Sequence, residues 1–261
     1  MSLGTFLTTA WSWNLPLALG LSLTLIAFAA WARGPGGGGR IGIFGSALLV
    51  IFLALCSPLA ALANGLLFSA HMVQHLLLLV IAPALGLVSL PPTLPAPVWL
   101  RPKFWAAAGW AGGVGAMWLW HVPALCDAAA SIGPVHAAQS ASLVSMGLLF
   151  WWPILAPRAS DRITPWTGVG YLFAACLACT ALGIVITLTP LELCPVFQAP
   201  VDPSGLLLAI RHDWGLSAER DRQLGGLLMW VPMCALYVGA IFLEIARWYA
   251  EDPLPRGEGA V

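Results

Sequence analysis

Residues 67–90 read LFSAHMVQHLLLLVIAPALGLVSL, and what this stretch lacks decides the fold: it holds no Asp, Glu, Lys or Arg. A helix rises 1.5 Å per residue, so about 20 apolar residues match the hydrocarbon thickness of a bilayer, and the stretch reads as a transmembrane span. Near its first turn stand His71 and His75. Imidazoles in a span are costly and rare, so their presence points to a site.

The same apolar pattern recurs on both sides. It predicts seven helices at about 13–32, 41–62, 67–90, 104–122, 136–155, 168–189 and 223–247. Hydrophobic residues make up 60% of the 261 and charged residues 8%, more apolar surface than a soluble domain of this length can hide. The expectation is an all-α integral membrane protein, a seven-helix bundle forming a single domain over residues 1–261, without repeats or low-complexity blocks. Net charge is zero. The basic residues lie in short patches between apolar runs, where they set topology and offer nucleic acid no face.

Those patches alternate along the chain. Arg33 and Arg40 flank the first connection, Arg101 and Lys103 lie in the third, Arg158 and Arg162 in the fifth, and Arg247 and Arg256 follow the last span. These connections read as cytoplasmic by the positive-inside rule. The segment before span one, the second connection around 63–66 and the fourth at 123–135 hold no Lys or Arg and read as outward. Seven spans then leave the N-terminus outside and the C-terminus in the cytoplasm. The sixth connection, about 190–222, breaks the pattern with Arg211, Arg220 and Arg222, accompanied by Asp202, Asp213, Glu219 and Asp221. Long loops cross membranes with little regard to charge. The first apolar run lacks a basic flank on its N-terminal side, which favours a retained span over a cleaved signal.

Punctuation agrees with these bounds. The glycine-rich run between Arg33 and Arg40 reads as a flexible turn, and the prolines at 91, 92, 95 and 97 cannot continue a helix. Tryptophans gather at both rims: Trp11, Trp13, Trp118 and Trp120 outside; Trp31, Trp105, Trp151, Trp152, Trp166 and Trp248 inside.

With the topology in place, His71, His75, His121 and His136 all fall at the outward ends of their spans. His71 and His75 are four apart and share a helix face. His-x3-His is a recurrent metal-ligand spacing, and adjoining helices can supply further donors. For any one histidine the bland reading is a hydrogen-bonded interface residue. Asp221 opens span seven from the same side as a candidate ligand, an acceptor orienting an imidazole, or a carboxylate at a helix N-terminus. Met117 and Met229 are second-tier thioether candidates, with packing the default. Gln74 and Gln139 read as interhelical hydrogen-bond partners, His212 as solvated surface, and Glu244 with Arg247 as a local ion pair. Cys56 and Cys234 read as packing. Cys176 and Cys179, near the middle of span six, read as small apolar residues first and as a buried soft-metal relay second. Cys126 and Cys194 lie in outward connections and can either pair or bind copper(I).

Several of these residues sit in longer motifs. Ser69–Leu78, SAHMVQHLLL; Trp118–Pro123, WLWHVP; Leu148–Pro153, LLFWWP; Trp214–Ser217, WGLS; and Asp221–Pro232, DRQLGGLLMWVP, together resemble the polytopic CtaG-type cytochrome c oxidase assembly factors of the caa-type oxidase group. The resemblance runs from span two to span seven and does not extend to the unrelated single-span copper chaperone of the same name. It implies a multi-pass protein of the bacterial inner (plasma) membrane that matures a haem-copper oxidase through copper handling on the outer side. Its implied partners are oxidase subunits, the lipid bilayer and periplasmic copper carriers. One departure stands out. Relatives carry a second His-x3-His opening span five, where this chain has His136 and then Ser140.

Imidazole with thioether suits copper or zinc and disfavours calcium and magnesium, which take oxygen ligands. The outward position favours copper in the family picture. The leading expectation is an assembly factor in which His71, His75, His121 and His136 hold copper and pass it to an oxidase subunit. No enzymatic step is implied, and the chain has no His-Glu-x-x-His stretch. Three other readings stand beside it: a haem-binding electron-transfer protein with two axial histidines, a metal-free scaffold for oxidase assembly, and a transporter. Against the last, no charged relay crosses the apolar core.

Overall fold

The computed structural model describes residues 3–34, 36–94, 102–188, 194–202 and 205–251, and among these the regular structure is entirely helical. The chain runs through α1 (Leu3–Thr9), α2 (Leu15–Trp31), α3 (Gly37–Cys56), α4 (Pro58–Ala63), α5 (Phe68–Leu76), a π-helical segment (Leu77–Ile81), α6 (Ala82–Val88), α7 (Pro102–Leu119), α8 (Pro123–Ser131), α9 (Gly133–Leu155), α10 (Pro165–Leu188), α11 (Leu206–His212) and α12 (Ala218–Glu251). Arg101, Arg256, the prolines at 95 and 97 and the end of the sixth expected span at 189 lie outside the described residues. Five helices are long and apolar enough to cross a bilayer: α3, the continuous Phe68–Val88, α9, α10 and α12. The protein is therefore a helical membrane protein. α2 is an apolar helix of 17 residues, and α7 occupies the place of the fourth expected span.

Several boundaries differ from the sequence expectation, each for a local reason. The stretch expected as one helix over 41–62 breaks at Ser57, which precedes Pro58 and is held extended at ψ 174°, because the proline ring disfavours the helical region for its predecessor. The Ser57 hydroxyl then accepts from the Leu59 amide and caps α4. Gly37 to Arg40, expected within a flexible turn, form the first turn of α3, since Gly36 at φ 75° reverses the chain just before them. Pro134 and Pro165 sit in first turns and start α9 and α10 earlier than expected.

Phe68–Val88 is not a plain α-helix. Pro83 has no amide to offer the Leu79 carbonyl four residues back. The helix widens by one residue there, and the Ala82 amide donates to Leu77 five residues back. α9 exploits the opening: a Cβ on Gly147 would overlap the Leu79 carbonyl and the Pro83 ring, so only glycine admits this approach. Gly109 and Gly113 of α7 likewise lie on Leu149 and Phe150 of α9. The tryptophan assignment needs correction at three places. Trp120, Trp151 and Trp152 are buried in the bundle instead of belonging to a rim, and Trp120 Nε1 donates to Ser142 Oγ at 2.8 Å. The inner end of α12 agrees with the sequence reading. Glu244 is buried and paired with Arg247 at 2.8 Å.

Candidate metal centre

Three of the four expected histidines come together. His71, His75 and His121 are 0%, 2% and 3% exposed. The i, i+4 spacing brings the His71 and His75 ring centroids to 4.6 Å, and His121 meets His75 edge-on at 5.3 Å. His121 reaches the cluster because α7 ends at Leu119 and a tight turn follows. There the His121 amide donates to Trp118 and the Val122 amide to Leu119, both at 3.1 Å, before Pro123 opens α8.

Backbone carbonyls set the protonation of two of these rings. His71 Nδ1 lies 3.2 Å from the Ala63 carbonyl and His121 Nδ1 2.6 Å from the Met117 carbonyl. A carbonyl only accepts, so both Nδ1 atoms carry a proton. His121 Nε2 faces Met72 Sδ at 3.2 Å. His71 Nε2 and His75 Nε2 are buried with no hydrogen-bond partner. Leaving a buried polar atom unmatched costs about 1–3 kcal/mol, so two on adjacent turns call for an explanation.

His136 stands apart from the trio. Its Nε2 lies 3.2 Å from Gln74 Oε1, and Gln74 Nε2 donates to the Ala54 carbonyl at 2.8 Å. Gln74 thus bridges helices, as the sequence reading expected, whereas the buried Gln139 Nε2 has no hydrogen-bond partner. The His136 side chain lines a cleft of about 420 Å³ between α2, α3 and α9, together with Asn14, Ile51 and Ser140. Ser140 Oγ donates back to the His136 carbonyl.

The acidic and sulfur candidates take other roles. Asp221 accepts from the Phe68 amide at 2.7 Å and the Ser69 amide at 3.1 Å, one through each oxygen. It therefore caps the first turn of α5, whose own N-cap residue Leu67 has no side-chain acceptor. Of the three roles open to it, the structure shows a carboxylate at a helix N-terminus, with both oxygens engaged. Met117 and Met229 make their polar contacts through main-chain oxygens, Met117 to His121 and Met229 to Cys179. Met72, which the sequence reading passed over, is the methionine whose thioether meets the cluster, beside His121.

A lid covers the cluster. Cys126 of α8 is disulfide-bonded to Cys194, resolving the choice between pairing and copper(I). Phe197, three residues on, lays its ring 5.6 Å from His71 and 5.6 Å from Phe68. The Val196 amide donates to Asp127 Oδ1, tying the same segment to α8. His212 stays outside, exposed beside Asp213. Among the described residues, no three His, Cys, Asp or Glu side chains are arranged to hold a metal ion as they stand.

A bundle of apolar helices with a lidded cluster of buried imidazoles at one end defines a class of membrane protein built around a polar site. The family model of the cytochrome c oxidase caa3 assembly factors (Caa3_CtaG) matches residues 23–251, and the chain belongs to that family. No curated protein and no solved structure matches it.

Proposed function

We propose that this oxidase assembly factor takes copper at His71, His75 and His121, with Met72 as a thioether donor, and yields it to a haem-copper oxidase subunit. The observation that carries the reading is the pair of buried, partnerless Nε2 atoms on His71 and His75. A neutral imidazole with its other nitrogen held by a carbonyl is the form that ligates metal. Nitrogen with a soft thioether suits copper. The rings are stacked and crossed, so closing on an ion requires side-chain rotation within the cluster. Because the rings touch one another, they leave no slot for a macrocycle, which favours copper over haem.

The same reading takes α2, α3, Phe68–Val88, α7, α9, α10 and α12 as seven spans of a bacterial inner membrane. The N-terminus lies outside and the C-terminus in the cytoplasm. Two independent features support it: the basic residues between spans favour the opposite face, and disulfides persist in oxidising compartments such as the periplasm. A carrier of this kind needs no bond-making step. Its partners are oxidase subunits and copper donors on the outer side.

Anaerobic copper titration of the purified protein, read by X-ray absorption at the copper edge, tests the site. Replacing His71, His75 or His121 by Ala should each remove most nitrogen-bound copper and lower oxidase maturation in cells, because even mutating a group that only orients a ligand typically costs about 10–100-fold in affinity. An unchanged nitrogen shell in all three variants rejects the ligand set.

A further inference from the structure

Near the midpoint of α10, Cys176 and Cys179 lie one turn apart, and α12 answers with Met233 and Cys234. Cys176 Sγ is 2.9 Å from Cys234 Sγ, and Cys179 Sγ is 3.3 Å from Met233 Sδ. Cys179 Sγ also lies 3.6 Å from the Met229 carbonyl, and Cys234 Sγ 3.6 Å from the Cys176 carbonyl. Thr180 Oγ1 closes one side at 3.5 Å from Cys234 Sγ. Cys179 and Met233 are fully buried.

Cysteine as a small core residue explains any one of these positions. It does not explain four sulfur atoms from two helices meeting at one depth. The thiols pair with one another and with the thioether, a weakly bonded polar cluster in an apolar medium that carbon side chains would fill as well.

We propose that Cys176, Cys179, Cys234 and Met233, which do not enclose an ion as they stand, close by side-chain rotation into a second site, selective for a soft monovalent ion of the copper(I) class. Softness selects the ion, since thiolate and thioether prefer copper(I) over hard cations. Charge selects its valence. When a monovalent cation binds, one thiol proton leaves to solvent and one thiolate replaces it, so the site stays electrically neutral with the remaining thiols and the thioether as neutral donors. A divalent ion would need two thiolates or leave net charge in the bundle interior, where it is expensive. Met229, one turn before Met233 on α12, is fully buried, and its carbonyl accepts from Cys179 Sγ. The sulfur site stands on its own atoms and does not depend on the histidine reading.

The full-length protein in detergent is titrated anaerobically with copper(I) against a chromophoric copper(I) chelator, and the copper-edge X-ray absorption is recorded. The expected result is one equivalent with a sulfur shell that survives in the combined His71→Ala, His75→Ala, His121→Ala variant and disappears when Cys176→Ala, Cys179→Ala and Cys234→Ala are added to that variant. A sulfur shell that persists there without the three thiols overturns the proposal. Because the cysteine variant alters two packed helices, a measurement on the wild type accompanies it. Equimolar silver(I) should slow maleimide labelling of Cys176 and Cys234 by at least about tenfold, read peptide by peptide by mass spectrometry with Cys56 as the internal control. Equal labelling with and without silver also overturns it.

Discussion

α3 and the helix Phe68–Val88 are nearly equal in mean hydropathy, 2.1 and 1.9 over their most apolar windows, yet 17% of the first window is buried in the protein and 56% of the second. Apolarity alone does not tell a helix that faces lipid from one at the centre of a bundle, because lipid tails and leucine side chains are equivalent surroundings. Two other features separate the pair. The central helix carries His71, Gln74 and His75, whose polar atoms need partners that lipid cannot supply, and it receives a glycine from α9 against its own backbone. α3 presents leucines such as Leu49 and Leu53 outward and has glycines with open space around them.

The same substitution should have opposite sign in the two regions. Gly147→Ala puts a methyl into the Leu79 carbonyl and the Pro83 ring, and should cost about 3 kcal/mol, the upper end of overpacking in a close-packed interior. Thermal unfolding in detergent reads it, and a midpoint within 1 °C of wild type would show that α9 does not approach the central helix as described. Asp221→Asn should come next. It keeps one acceptor for the α5 amides and loses the other, a cost of about 2 kcal/mol. A proteolysis midpoint equal to that of wild type would argue against the cap. Gly42→Ala is the smallest. No atom stands within 4 Å of the added methyl, so helix propensity alone acts and should stabilise by up to about 1 kcal/mol. A loss of stability there would mean that α3 is covered.

Much of this contrast was legible beforehand, and the remainder was not for identifiable reasons. Hydropathy located the helices, and the i, i+4 spacing of His71 and His75 with the Trp118–Pro123 turn placed three imidazoles at one end. The break at Ser57 was readable from the proline that follows it. Trp120, Trp151 and Trp152 were misassigned because an indole ring is amphipathic and looks the same in a rim as in a core. The role of Asp221 was hidden by distance, since its partners lie 153 and 152 residues away, beyond any periodicity. Met72 was overlooked because a methionine inside an apolar run carries no pattern of its own. The meeting of Cys234 with Cys176 required knowing that α10 and α12 are neighbours.

The clasp between Asp221 and the amides of Phe68 and Ser69 has a consequence for biogenesis. Ribosomes deliver the chain in order, so the imidazole-bearing segment enters the lipid while the carboxylate that will seat it is still untranslated. Until the final hydrophobic segment inserts, two main-chain donors at the head of α5 lack their counterpart, and a nascent protein stopped short of Asp221 carries the histidines without the anchor that orients them. The seating of the imidazole-bearing helix is thereby completed only at the end of synthesis, once the last span has delivered its carboxylate.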